Sequence, residues 1–206
     1  MEMAQIGCEG IETRWRNDIF KIIPIKILTK ADILAGLTRL SELAQRENII
    51  LEISLYAGTL MLLAYDSRRT TKDVDAIVRP PEVGRRLAAK VAWEMGWHDD
   101  WLNDDVRFFV SSVETRQLWK PPGLNAPHLK ISRPTAKYLL AMKVMACRKA
   151  IPGYSGDETD VAFLLKKMAI KISAEVERIV DQYFPDTDLP AATIAVIERS
   201  LSYSEL

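Results

Sequence analysis

The stretch that most constrains this chain is Leu51 to Val78, LEISLYAGTLMLLAYDSRRTTKDVDAIV. It reads as a strand, a tight glycine turn, a short helix, a loop and a second strand carrying Asp73 and Asp75. Side chains alternate across a strand, so Asp73-Val74-Asp75 sends both carboxylates to one face and Val74 to the other. Carboxylates held that close repel unless a cation lies between them, and a divalent metal is the commonest solution. Ala57-Gly58-Thr59 adds a glycine turn opening a helix, where free N–H groups and the positive dipole end suit a phosphate. A phosphate cradle followed by a metal-holding acid pair points to nucleotide chemistry. The competing readings are an exposed strand end whose acids face water and plain turn geometry at the glycine.

Flanking patterns extend the layout. Thr29 caps a helix with Asp32 three residues on, and Ile33, Leu34, Leu37, Leu40 and Leu43 recur at helical spacing up to about Arg46. Ile49–Tyr56 is the first central strand, Leu60–Tyr65 a short helix, Val74–Val78 the second strand, and Glu82–Met95 an amphipathic helix closed by Gly96. Asn103-Asp104 caps a further short helix. Val113–Trp119 and His128–Ser132 read as strands, and Pro134 suits the first position of a helix. Four helices follow, at Thr135–Lys149, Glu158–Met168, Ala174–Tyr183 and Ala191–Leu201. The expected class is α/β (α+β): a mixed sheet flanked by helices over residues 1–133, and a helical region over 134–206 packed on it. Within 1–28, Phe20–Ile27 reads as an edge strand interrupted by Pro24.

These residues carry a resemblance. Ala57-Gly58-Thr59 followed by Arg69-Thr70-Thr71-Lys72-Asp73-Val74-Asp75 resembles the signature of the nucleotidyltransferase superfamily with a polymerase-beta-like fold. The nearest branch is that of minimal bacterial nucleotidyltransferase-like proteins with toxin–antitoxin and abortive-infection members. The likeness continues more loosely through Trp101–Asp104 and Tyr138–Lys143 to Asp157 and Asp160. It implies that Asp73 and Asp75 hold Mg2+ (or Mn2+) against a nucleoside triphosphate, that Ala57, Gly58, Thr59, Arg69 and Lys143 contact the nucleotide, and that Asp73, Asp75, Lys143 and Asp160 serve catalysis. It also implies transfer of a nucleotidyl group to a hydroxyl on RNA, protein or a small molecule, and a cognate antitoxin as partner.

Individual residues keep their alternatives. Lys143 is flanked on the helical wheel by Leu139, Leu140, Ala146 and Cys147, so it either snorkels from an apolar sector or reaches into a site. Arg69 is a phosphate clamp or a solvated loop charge. Asp157 reads first as an N-cap, and Asp160, one turn in, faces Lys143 or the metal site. Two departures from the family stand out. Many members have two adjacent glycines where this chain has Ala57, and the strand that commonly bears a third acid, His128–Ser132, has none. Glu114 and Asp160 are the candidate substitutes, and the second reading is therefore a catalytically lapsed module for nucleotide sensing or protein interaction.

Composition narrows the classes. Twenty-eight basic residues balance twenty-eight acidic ones, which argues against nucleic-acid binding by bulk charge. Cys8 and Cys147 lack metal-ligand spacing, and His98 and His128 lack partners, so zinc and a disulfide framework are not expected. With no apolar run of membrane length and no secretory leader, a cytoplasmic protein is expected. Trp93, Trp97, Trp101, Phe108 and Phe109 are assigned to core packing rather than base stacking.

Overall fold

The computed structural model describes residues 26–147 and 156–204. Most of the expected strand at Phe20–Ile27 lies outside the described residues. Strand β1 (Leu28–Thr29) leads into helix α1 (Lys30–Arg46), whose start is set by a complete capping box: Asp32 N–H donates to Thr29 Oγ1, and Thr29 N–H donates to Asp32 Oδ2 at 2.9 Å. Lys26 Nζ donates to Asp32 Oδ1 at 2.6 Å, and that bond, with the Thr29 hydroxyl, holds the carboxyl at about 2. Ile33, Leu37, Leu40, Leu43 and Ala44 are buried, the apolar stripe the spacing predicts.

The elements then run β2 (Leu51–Leu55), α2 (Ala57–Leu63), β3 (Thr70–Thr71), β4 (Val74–Arg79), α3 (Pro81–Met95), β5 (Leu102–Asn103), β6 (Arg116–Leu118) and β7 (Leu129–Pro134). Helices α4 (Ala136–Ala146), α5 (Glu158–Lys167), α6 (Ser173–Tyr183) and α7 (Ala191–Ser204) complete the chain. Five strands form one sheet in the order β5-β4-β2-β7-β6; β2 runs antiparallel to β4 and parallel to β7. A mixed sheet with helices, of α+β class, is therefore what the chain forms. Strands β1 and β3 pair separately and pin the loop before β4.

One sheet face carries Leu51, Ile53, Leu55, Val74, Ala76 and Ile131 into the core. The same hydrophobic cluster takes in Tyr138, Leu139 and Leu140 of α4 and Val161 and Leu164 of α5, so it is continuous across residue 133. Among the described residues no helix is long and apolar enough to cross a membrane.

Several expectations shift. Pro134 ends β7 opposite Arg116 instead of opening a helix, because the Thr135 hydroxyl accepts from Tyr138 N–H and caps α4 one residue later. Strand β6 is confined to Arg116–Leu118, since Val113 N–H turns back to Ser111 Oγ. Asp105–Phe109 forms a 3-10 turn in which Asn103, not Asp104, supplies the side-chain bond, to Asp105 N–H.

Trp97 and Trp101 meet edge to face in the core, and Trp101 Nε1 donates to Ala88 O. Trp93, Phe108 and Phe109 instead stand 81%, 72% and 58% exposed, which corrects their assignment to the core. Trp93 falls opposite the buried stripe Leu87-Ala88-Val91-Ala92 of α3, and the short turn at 105–109 buries Val106 while turning both phenylalanines outward. The Arg107 guanidinium covers the Phe108 ring at 4.6 Å.

Helix α3 approaches β4 through Gly84. A Cβ there would lie 2.5 Å from Val78 Cγ1 and 2.9 Å from its Cβ, and the latter cannot swing aside without moving the strand. Gly84→Ala is expected to lower stability by about 1–3 kcal/mol in urea denaturation, as overpacked cores do.

Candidate functional site

The chain leaves β2 at Tyr56, which is extended, and reverses at Ala57 with φ +48° to enter α2. Two bonds tie this turn to the acid pair. Tyr56 N–H donates to the carbonyl of Asp75 at 2.9 Å, and Thr59 Oγ1 to that of Asp73 at 3.4 Å. Val74 is fully buried while Asp73 and Asp75 on either side are half-buried, the alternation expected of a strand edge.

Left-handed backbone costs an L-residue roughly 1–2 kcal/mol, part of which a glycine returns through the greater freedom of its unfolded chain. Ala57→Gly is therefore expected to stabilise the fold by about 0.5–1 kcal/mol, read as a raised urea midpoint. The pair of glycines common in the resembled family has a local reason here, at the positive φ.

Gly58 faces Thr71 and Arg68: an added Cβ would stand 3.1 Å from Thr71 Oγ1 and 3.6 Å from Arg68 Nη1. Arg68 donates from Nε and Nη2 to the two oxygens of Asp160, at 2.7 and 2.6 Å. Lys143 Nζ lies 2.8 Å from both Asp157 and Asp160. Lys143, Asp157 and Asp160 are 3%, 0% and 1% exposed, so with Arg68 they form a buried ion cluster joining α4 and α5 to the loop before β3.

Lys143 thus reaches inward from the apolar sector of its helix and meets the carboxylates of Asp157 and Asp160. Asp157 occupies the N-cap position of α5 but makes no side-chain cap bond; its carboxylate turns to Lys143. Arg69 is exposed, and it is Arg68 that lies beside Gly58. No local pattern marks Arg68, because its partner lies 92 residues away.

The open sheet face beside the acid pair bears Lys130 and Ser132 on β7, with Ser132 Oγ 2.9 Å from Ser54 Oγ. Glu114 reaches this face from the segment before β6: Tyr56 Oη donates to its Oε2 at 3.0 Å, and Arg116 Nη2 lies 2.8 Å from its Oε1. Burial first, and then the Glu114 charge, push the Tyr56 phenol well above its ordinary value. Glu114 is therefore joined through Tyr56 to the backbone of Asp75, whereas Asp160 is held in the buried cluster.

Two cavities flank β4. One of about 390 Å³ opens on the face of Ile77 and Arg79 and includes Glu114 and Arg116; one of about 560 Å³ lies on the face of Ala76 and Val78 and has Asp73 and the acids at 99–105 on its rim. His98 Nδ1 accepts from Asp100 N–H, and His128 Nδ1 lies 3.1 Å from Ile49 O.

Among the described residues no group of three or more His, Cys, Asp or Glu side chains is placed to hold a metal ion. The pair Asp73 and Asp75 suits magnesium that arrives with a nucleotide, since that ion keeps its waters and takes one or two carboxylates plus phosphate oxygens. Set against protein-family models, curated proteins and solved structures, the chain matches none.

Proposed function

We propose that this protein binds a nucleoside triphosphate with magnesium (or manganese) at Asp73 and Asp75 and transfers a nucleotidyl group to a hydroxyl of RNA, protein or a small molecule, in a nucleotidyltransferase-like fold. The observation that carries this reading is the double tie between glycine turn and acid pair, Tyr56 N–H to Asp75 O and Thr59 Oγ1 to Asp73 O. It holds the turn and both acids in one register, the arrangement that in-line transfer needs.

In the proposed reaction the acceptor oxygen attacks the α-phosphorus as the bond to pyrophosphate breaks; the electron pair of that bond leaves with pyrophosphate and the hydroxyl proton passes to water. The divalent ion, when bound, supplies charge stabilisation and lowers the pKa of the acceptor hydroxyl. Asp73 and Asp75 would hold the ion, Gly58 would let the backbone approach the phosphates, and Arg68 would supply positive charge beside them. A toxin restrained by an antitoxin encoded nearby is the setting this reading fits.

A second reading, a lapsed module that senses nucleotide or engages a protein, is favoured by one observation. Lys130, Ser132 and Pro134 stand where β7 would carry a third acid, and Asp160 is committed to Arg68 and Lys143. Titration calorimetry with each nucleotide, with and without magnesium, followed by transfer of labelled nucleotide to cellular RNA, separates the two. Binding without transfer drops the enzyme in favour of the module; no binding drops the enzyme and the nucleotide sensor and leaves the protein-interaction module.

A further inference from the structure

We propose that Arg68 is the triphosphate-binding arginine of the site and that Asp160 is its positioning residue, while the adjacent Arg69 plays no part in binding; this rests on the nucleotide-binding reading above. The geometry is that of a side-on clamp. Asp160, 1% exposed, takes Nε and Nη2 of Arg68 in a bidentate bond. The remaining nitrogen, Nη1, lies on the far side of the guanidinium, 3.6 Å from where a Cβ of Gly58 would be, and makes no hydrogen bond among the described residues. A planar fork pinned along one edge presents its other nitrogen in a fixed direction, here at the glycine turn.

Lys143 and Asp157 complete the clamp. Lys143 sits between Asp157 and Asp160, so Asp160 is held from the rear while it grips Arg68 from the front. Asp160 is matched by Arg68 and Lys143, and Arg68, at 21% side-chain exposure, is the member that reaches toward solvent. A polyanion therefore meets a preorganised donor with no burial of a new charge. Arg69 is exposed, and among the described residues no carboxylate clamps it.

The test is calorimetric titration of the full chain with inorganic triphosphate and magnesium, alongside unliganded melting temperatures. Arg68→Gln is expected to weaken binding about tenfold to a hundredfold, and Arg69→Gln by less than about threefold. Arg68→Lys keeps a cation for Asp160 but has no second edge to offer, so it is expected to stay folded and lose binding about as far as Arg68→Gln. Asp160→Asn is expected to weaken triphosphate binding, and its loss is expected to vanish in the Arg68→Lys background, which a merely structural role would not produce. Wild-type affinity in Arg68→Lys, or a larger loss in Arg69→Gln, overturns the assignment while leaving the nucleotide reading intact. Absence of triphosphate binding by the wild type overturns both.

Discussion

Lys143→Met is expected to destabilise the protein by about 3–5 kcal/mol, read as a fall in the urea midpoint, because it strips a buried ion cluster of one cation. Methionine fills most of the lysine stem, so the loss is electrostatic rather than a cavity effect. Asp157 and Asp160, 0% and 1% exposed, would lose the ammonium they share, and the Arg68 guanidinium is engaged with both oxygens of Asp160. Adding Asp157→Asn leaves one buried carboxylate matched by one guanidinium, and the double variant is expected to recover much of the loss. A change below about 1 kcal/mol for Lys143→Met would show that water reaches the cluster and that its members do not depend on one another.

What the sequence discloses follows the range over which each determinant acts. The first helix is legible to its cap because Thr29, Asp32 and the stripe Ile33-Leu37-Leu40 all lie within the helix or at its edge. The turn at Ala57-Gly58 and the alternation across Val74 are legible for the same reason. The helical wheel of α4 places Lys143 in an apolar sector and leaves its direction open, because a wheel describes one helix and not what another helix brings to meet it; Asp157 and Asp160 arrive from α5. Arg68 escapes notice because its meaning depends on Asp160; Glu114 is named as a candidate acid, but its bond to Tyr56, 58 residues before it, is not legible. Trp93 misleads through composition: its ring is large and apolar, yet its place on α3 is set by the phase of Leu87, Ala88 and Val91.

These long-range contacts also reorganise the candidate site. Residues that the resemblance groups as catalytic separate into two layers. Asp73 and Asp75 lie half-buried beside the turn, while Lys143 and Asp160 lie in the core behind Arg68. The rear layer reaches the glycine turn through Arg68, so substitutions there affect stability and affinity together. Substitutions in the front layer can be separated from stability, and this yields the sharpest test of function.

Asp75→Ala is expected to reduce nucleotidyl transfer about a thousandfold, equivalent to roughly 4 kcal/mol of transition-state stabilisation, with stability changed by no more than about 1 kcal/mol. The asymmetry arises because Asp75 secures the turn through its backbone carbonyl, which accepts from Tyr56 N–H and survives the substitution. Val74→Ala should show the opposite pattern. Its side chain is fully buried on the other face, so its loss costs on the order of 2 kcal/mol while each folded molecule keeps its transfer rate. The comparison is made with labelled nucleotide at saturating magnesium, normalised to the folded fraction from urea curves. Equal transfer by wild type and Asp75→Ala would place the chemistry away from β4, whereas loss confined to Asp75→Ala assigns it to the face on which the carboxylate stands.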